Sequence, residues 1–188
     1  MTDGNAEFAE LLEAAQSGDQ HAWSILYDGV AGALVAYLRL RGASDPEALV
    51  GDAFIQIARH LHGFEGDAAG FRSWAFTIAH NRLIDDRRRL RRRPVEVNSE
   101  SELDLLAKAS PDDVEELAIS SLNNARIETF LEVLSEDQRN VVLLKILGGL
   151  PASDTAKTLG KTEGTIRVIQ HRAIKTLRQV LADGDVTL

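Results

Sequence analysis

Residues 71–93 read FRSWAFTIAHNRLIDDRRRLRRR, and this stretch indicates the fold class of the N-terminal half. Its apolar residues, from Phe71 to Ile78, recur at the three- and four-residue spacing of one helix face. The pattern then runs into six arginines within the seven positions 87–93. The stretch therefore predicts an amphipathic helix with a strongly basic end. Such an end can hold phosphates, but it can equally be a solvated helix terminus favoured by the helix dipole.

Three further helices are predicted before this stretch. Apolar stripes of helical period end at Gly18 and at Gly42, and a third stripe begins near Ser44 or Asp45, just before a proline. The glycine-rich stretch 63–70 then predicts a loop. Together with the helix that follows the loop, these elements are enough to close a small hydrophobic core.

The second half of the chain contains the pattern of a helix-turn-helix. Ser135 and Gln138 have the spacing of a capping box, which opens one helix. A short helix is predicted at 151–159, and Thr162 caps a longer one that runs to about Val180. This spacing suits a DNA-binding motif whose second helix enters the major groove, although a purely structural helical hairpin has the same spacing.

A polar stretch separates the two halves. Residues 94–110 are rich in Ser and Glu, which is the composition of a flexible tether, and a new helix is predicted from Ser110 onward. No stretch alternates as a strand does. We therefore predict an all-α fold of two small helical domains, residues 1–93 and 111–188, joined by a flexible acidic linker at 94–110. The second domain is the helix-turn-helix domain.

Charge is distributed unevenly along the chain. The formal net charge is −8, yet residues 71–94 hold eight Lys or Arg against two Asp or Glu, and residues 138–182 hold the same numbers. Two compact basic blocks favour two separate contacts with an anionic partner, because phosphates are bound by clustered cations. The acidic remainder should weaken DNA binding by the free chain, so we expect a partner that supplies affinity.

Several classes of protein are disfavoured by what the sequence lacks. It has no cysteine, so disulfides and thiolate metal sites are excluded, and the five histidines have no spacing that suggests a metal site. No apolar run approaches the roughly 20 residues that span a bilayer. No paired carboxylates, activated nucleophile or phosphate-cradling loop is apparent. We expect a cytoplasmic protein that is not an enzyme and uses no cofactor or metal.

Motifs in both halves resemble those of one protein family. The segments 71–74 (FRSW) and 78–82 (IAHNR), followed by the arginines, resemble region two of the extracytoplasmic-function (ECF) sigma factors. The segment 45–55 (DPEALVGDAFI) is similar to the family's helix that docks on the polymerase clamp. Segments 134–139 and 159–173 resemble region four. The resemblance follows the family's order through nearly the whole chain.

The resemblance implies an RNA polymerase sigma factor of the sigma-70 family. Region two would dock on polymerase and hold an unstacked base of the minus-ten element, and region four would read the minus-thirty-five element. The implied partners are the RNA polymerase core, through the clamp of the beta-prime subunit and the flap of beta, then promoter DNA, and an anti-sigma factor. We expect a monomer when free, with no membrane insertion.

Three sets of residues are expected to make these contacts. The minus-ten set is Ser73, Asn81, Arg82, Arg87, Arg88, Arg91 and Arg92. The minus-thirty-five set is Thr165, Arg167, His171, Arg172, Lys175 and Arg178. The set for core polymerase is Glu47, Asp52, Ile55, Gln56 and Arg59. Phe71 and Trp74 are expected in the core rather than stacked on bases, since both lie on the apolar stripe.

The sequence departs from the family pattern in two helices. Ala48 and Gly51 replace an acid and a glutamine in the clamp-docking helix, which predicts a weaker or redistributed contact. Pro151, Ala152 and Thr155 replace the usual residues in the first helix of the helix-turn-helix, which predicts looser packing there.

Two other functions remain open on the sequence. An ordinary helix-turn-helix regulator would account for the second half but leaves the 71–93 pattern unexplained. A sigma mimic that sequesters an anti-sigma factor would have no need of both basic blocks.

Overall fold

The computed structural model describes residues 3–92 and 127–183, and every regular element in these ranges is helical. The N-terminal range forms α1 (Asp3–Gln16), α2 (Gln20–Leu40), α3 (Pro46–His60), a 3-10 turn (Leu61–Gly63) and α4 (Ala68–Arg92). The C-terminal range forms α5 (Glu136–Ile146), α6 (Ala152–Leu159) and α7 (Glu163–Asp183), and residues 127–132 are also helical. The all-α prediction is confirmed. The predicted linker 94–110 and the helix predicted from Ser110 lie outside the described residues.

Local capping signals set most of the helix boundaries. The carboxylates of Asp19 and Asp45 accept hydrogen bonds from the third residue of α2 and of α3, at 2.7 and 2.9 Å. Gly18 and Gly42, which end the first two stripes, have φ of +94° and +74°. Such left-handed backbone is readily adopted by glycine, so both positions end a helix as predicted.

The loop predicted at 63–70 is shorter than expected. α4 begins at Ala68, because the Asp67 carboxylate accepts a hydrogen bond from the Gly70 N–H at 2.8 Å and caps the new helix. Gly70 therefore lies in the first turn of α4 rather than in the loop. The capping aspartate outweighs the weak helix propensity of the glycine.

The C-terminal range folds around the turn of the helix-turn-helix. The capping box of Ser135 and Gln138 is formed in both directions, and Val141, Ala156 and Ile166 bury the contact among α5, α6 and α7. Gly160 ends α6 in the left-handed conformation. Thr155, whose presence predicted looser packing, is fully buried and donates its hydroxyl to the Pro151 carbonyl at 2.9 Å. α6 is thus firmly packed at this position.

The two halves share one hydrophobic core. Buried residues of α2, α3 and α4 form a continuous cluster with Leu134, Val142, Leu144 and other residues of the second half. Gly148 lies at this junction, because a Cβ built there would lie 3.2 Å from the Phe76 ring of α4, and it would also lie 2.5 Å from the Leu144 carbonyl within the second half. No helix of the described ranges is long and apolar enough to cross a membrane.

Polar contacts reinforce the packing between the halves. The Arg72 guanidinium in α4 donates to the carbonyls of Leu147 and Gly148 at 2.6 and 2.9 Å, just after the end of α5. The hydroxyls of Thr77 in α4 and Thr158 in α6 lie 2.7 Å apart. The first half therefore holds α5 and α6 directly against α4.

Candidate nucleic-acid interfaces

One exposed face of α7 is lined with cations. Arg167, His171, Lys175 and Arg178 are all exposed and lie within about a quarter turn of one another around the helix axis. The opposite side is fixed in the core by Ile166 and other buried residues. The orientation of α7 is therefore set by its apolar stripe, and its basic side faces outward.

The remaining members of the minus-thirty-five set flank this face. Arg172 is exposed. The Thr165 hydroxyl lies 2.9 Å from the Thr162 hydroxyl, which caps α7 by accepting from the Thr165 N–H at 3.2 Å. Arg167 forms an exposed ion pair with Glu163 at 3.4 Å, and such a pair is weak enough for a base or phosphate to replace.

A polar cavity lies between α3 and α4. Its volume is about 490 Å3, and it is lined by Gln56, Asn81, Arg82, Ile84, Asp85 and Arg88. Arg82 donates to the Gln56 side-chain oxygen at 2.7 Å, whereas its Nε is buried and has no hydrogen-bond partner within the described residues. Buried donors are nearly always paired, so this Nε is an exception among the buried groups of the described residues.

Only some of the arginines at the basic end of α4 have an acidic partner among the described residues. Arg88 lies 3.5 Å from Asp85, and Arg89 lies 2.7 Å from Asp86, so these two arginines have acidic neighbours. Arg91 and Arg92 are exposed and form no ion pair with any residue that the structure describes. They are the arginines most readily available to an incoming phosphate.

Two residues of the minus-ten set do not join this open surface. Ser73 is buried, at 7% exposure. Arg87 points toward the second half, where it donates to the Glu136 carboxylate at 3.1 Å and to the Arg41 carbonyl. The structure thus brings Asn81, Arg82 and Arg88 together and sets Ser73 and Arg87 apart from them.

The arrangement around Glu136 was not predicted from the sequence. Its Oε1 accepts from Arg41 and from Arg87, each at 3.1 Å, and the Arg41 side chain is only 2% exposed. The hydrogen bond from Arg41 lowers the pKa of Glu136. These partners are 95 and 49 residues apart in the chain, and neither pairing has a local sequence signal.

A buried histidine lies next to this ion-pair cluster. The His80 Nδ1 is 2.7 Å from the Tyr37 hydroxyl. Burial, together with the charges of Arg41 and Arg87, lowers the pKa of His80 to about 4, whereas burial raises the pKa of Tyr37 to about 12. Both side chains are therefore neutral at pH 7, and they share this hydrogen bond without a charge on either partner.

The aromatic side chains of the loop before α4 and of the start of α4 pack together. Phe71 is 2% exposed, as expected for a core residue. Trp74 is half-buried and stacks on Phe64 with ring centroids 5.0 Å apart, so the loop before α4 is held against the helix. Trp74 also packs against the core, which agrees with its predicted structural role.

The predicted polymerase-binding residues fall into two groups on α3. Asp52, Ile55 and Arg59 are exposed and share one face, with Ile55 at 53% exposure. Glu47 lies about 140° around the helix from Asp52 and pairs with Arg39 at 2.9 Å. Gln56 is half-buried and is engaged by Arg82.

Known proteins share both halves of this chain. The family models described as "Sigma-70 region 2" and "Sigma-70, region 4" match residues 26–93 and 124–177. The ECF RNA polymerase sigma factor SigL of Mycobacterium tuberculosis is 33% identical over 178 residues, which cover 94% of this chain and 98% of SigL. The chain is an ECF sigma factor of the sigma-70 family.

Another relative agrees with this assignment, and a solved structure shares the fold. The ECF RNA polymerase sigma factor BldN of Streptomyces coelicolor is 33% identical to this ECF sigma factor over 182 residues, covering 95% of this chain and 67% of BldN. The structure of CnrH in complex with the cytosolic domain of CnrY matches with a TM-score of 0.65 and 23% identity, over 95% of this chain and 99% of CnrH. That match shows a shared fold.

Proposed function

We propose that this ECF sigma factor binds the RNA polymerase core and directs it to promoters through two DNA contacts. The observation that carries the proposal is the presence of two outward basic surfaces, on α4 and on α7, in one chain of the sigma-70 family. The chain contributes recognition and strand separation and makes no covalent change.

The contact with the minus-ten element is assigned to the cavity between α3 and α4. Its volume of about 490 Å3 lies within the roughly 300 to 1,000 Å3 typical of small-ligand sites, so a single unstacked base can enter. Asn81 and Arg82, which both line the cavity, offer side-chain donors to its edge. These bonds offset part of the few kcal/mol that unstacking costs. Arg88, Arg91 and Arg92 hold the adjacent phosphates.

The contact with the minus-thirty-five element is assigned to α7. Arg167 and His171 lie in the first half of the helix, where a recognition helix meets base edges, while Lys175 and Arg178 lie nearer its end and contact phosphates. Arg172 and Thr165 lie beside this face and are expected to make supporting contacts. Base-edge contacts provide specificity, and the phosphate contacts provide affinity that depends on salt.

Docking on the polymerase core is assigned to the exposed face of α3. Asp52, Ile55 and Arg59 combine an acid, a base and an exposed apolar side chain, which suits a protein partner better than DNA. Gln56 is already engaged within the chain, so we expect it to contribute less, whereas the exposed ion pair of Glu47 with Arg39 is weak enough for a partner to replace. The clamp and flap contacts and the anti-sigma factor remain predictions from family membership.

Run-off transcription with purified core polymerase and a promoter library tests the proposal. Addition of the chain should produce transcripts from a specific subset of promoters that core polymerase alone does not use. If no promoter-specific transcript forms with a cognate core, the proposal is wrong.

A gel-shift assay without polymerase separates this function from an ordinary helix-turn-helix regulator. Because the net charge is −8, the free chain should bind duplex DNA weakly at physiological salt. Tight, sequence-specific binding at nanomolar concentration in the absence of polymerase would favour the regulator.

A further inference from the structure

An exposed valine lies in the middle of the polar face of α7. Val168 is 49% exposed, one turn after Gly164 and about one turn before His171 and Arg172. The exposed side chains around it are charged or polar. A β-branched side chain has few rotamers, so little entropy is lost when a ligand fixes it. Phosphate binding gives no role to an apolar group at this position, whereas the base edges of the major groove do.

The glycine one turn earlier leaves space beside this valine. Helical side chains lean toward the N-terminus, so the Val168 side chain leans toward Gly164, one turn earlier. A Cβ built on Gly164 would meet only the Thr162 hydroxyl, at 4.0 Å, so the surface over this glycine is open. The two residues form a shallow apolar notch, which we call the Gly164–Val168 notch. Arg167 and His171 lie beside it.

The major groove offers one apolar group at the base edges, the C5-methyl of thymine. We propose that the Gly164–Val168 notch receives this methyl group from one thymine of the upstream promoter element. Val168 is then a specificity residue that acts beside the polar contacts of Arg167 and His171. This inference rests on the proposed assignment of α7 to the minus-thirty-five element.

The test uses reconstituted holoenzyme and a promoter selected by it from a library randomised in the upstream element. Each thymine of that element is replaced in turn by uracil, which removes only the methyl group. With the wild-type chain, initiation should fall about four-fold at one position, as expected for about 0.8 kcal/mol of lost apolar burial. With Val168→Ala or Gly164→Ala, uracil and thymine should work about equally well at that position.

Ile174→Ala is the matched control. Ile174 is 38% exposed on the same helix but lies about 120° around the axis from Val168, so this variant should keep the wild-type preference for thymine. Three results would each overturn the proposed role of the notch. They are a selected element that contains no thymine, wild-type initiation that is insensitive to uracil at every position, and an unchanged preference for thymine over uracil in Val168→Ala. If promoter-specific initiation continues in those cases, the sigma-factor assignment stands. Absence of any promoter-specific initiation would overturn both.

Discussion

At the scale of single residues, the cluster around His80 links folding to pH. His80 is buried beside Tyr37, and the nearby charged groups are Arg41, Arg87 and the Glu136 carboxylate. Burial and the two arginines disfavour a positive charge on the imidazole, which lowers its pKa from the ordinary 6.5 to about 4. The folded chain therefore binds a proton on His80 less readily than the unfolded chain does.

The pKa of His80 fixes the direction of a pH effect on stability. Between pH 6.5 and 4 the unfolded state binds more protons than the folded state, so stability is fully present above pH 6.5 and is lost as the pH falls. From pH 7 to pH 5 the expected loss from this residue is about 2 kcal/mol. Urea unfolding at both pH values should show a smaller loss for His80→Gln, whose side chain does not titrate.

Comparison with this variant isolates the histidine. Glu136 also loses its ion pairs at acid pH, but it is present in both proteins. An identical pH dependence of the free energy of unfolding in wild type and His80→Gln would contradict the assignment.

At the scale of helices, replacement of either of two glycines by alanine is expected to change the free energy of unfolding, in opposite directions because their surroundings differ. Gly51 is exposed in the middle of α3, and a Cβ there would meet nothing within 4 Å. Gly148 has no such space, since a Cβ would lie 2.5 Å from both the Leu144 carbonyl and the Leu150 side chain.

Gly51→Ala should raise the free energy of unfolding by about 1 kcal/mol, because alanine has the higher helix propensity. Gly148→Ala should lower it by about 1 to 3 kcal/mol, because the backbone and the packing against α4 must shift. Urea unfolding of the two variants measures both changes. A neutral or stabilising effect of Gly148→Ala would contradict the close packing around this glycine.

The helices could be predicted well from the sequence because their signals are local. Apolar stripes, the capping residues Asp19, Asp45 and Ser135, and the left-handed glycines all act within a few residues of the boundary that they set. The start of α4 differs from the predicted position because the three glycines of 63–70 favour a loop, whereas the Asp67 carboxylate caps the helix.

The candidate sites were only partly predictable for the same reason. The outward face of α7 follows from helical period, so its basic side could be foreseen. The burial of Ser73 and the engagement of Arg87 by Glu136 depend on packing between distant parts of the chain. Such contacts have no pattern within either segment, and they had to be read from the three-dimensional structure.

At the scale of the whole molecule, the packing between the halves restricts how the chain can meet a promoter. Elements named minus ten and minus thirty-five are about 25 base pairs apart, which is about 85 Å at 3.4 Å per base pair. In the structure α4 contacts α6 directly, with the hydroxyls of Thr77 and Thr158 2.7 Å apart. The proposed function therefore requires the halves to separate on the promoter.

A disulfide between the halves tests this requirement. The chain has no cysteine, so Thr77→Cys with Thr158→Cys can form a single internal disulfide. Oxidation of the free protein should form it and block promoter-specific transcription, and a reductant should restore activity. Each single-cysteine variant, oxidised in the same way, should remain active. Failure to form the disulfide, or full activity of the oxidised protein, would contradict the account.

We propose that the two basic surfaces, on α4 and on α7, serve one promoter in different ways. Replacement of Arg88, Arg91 and Arg92 by alanine removes phosphate contacts, so initiation should fall about equally at all promoters and become less sensitive to salt. Replacement of Arg167 or His171 removes a base-edge contact, which is worth about 1 to 3 kcal/mol, so the loss should be large at the preferred upstream element and small at altered ones.

The most direct measurement is therefore open-complex formation by holoenzymes carrying each set of substitutions, on a panel of promoters that differ in the upstream element. Circular dichroism of each variant checks that helicity is retained. The account predicts a uniform loss for the α4 variant and a promoter-dependent loss for the α7 variants. Wild-type activity of both sets across the panel would contradict it, because that result is expected if the arginines are only a solvated helix end and α7 only packs.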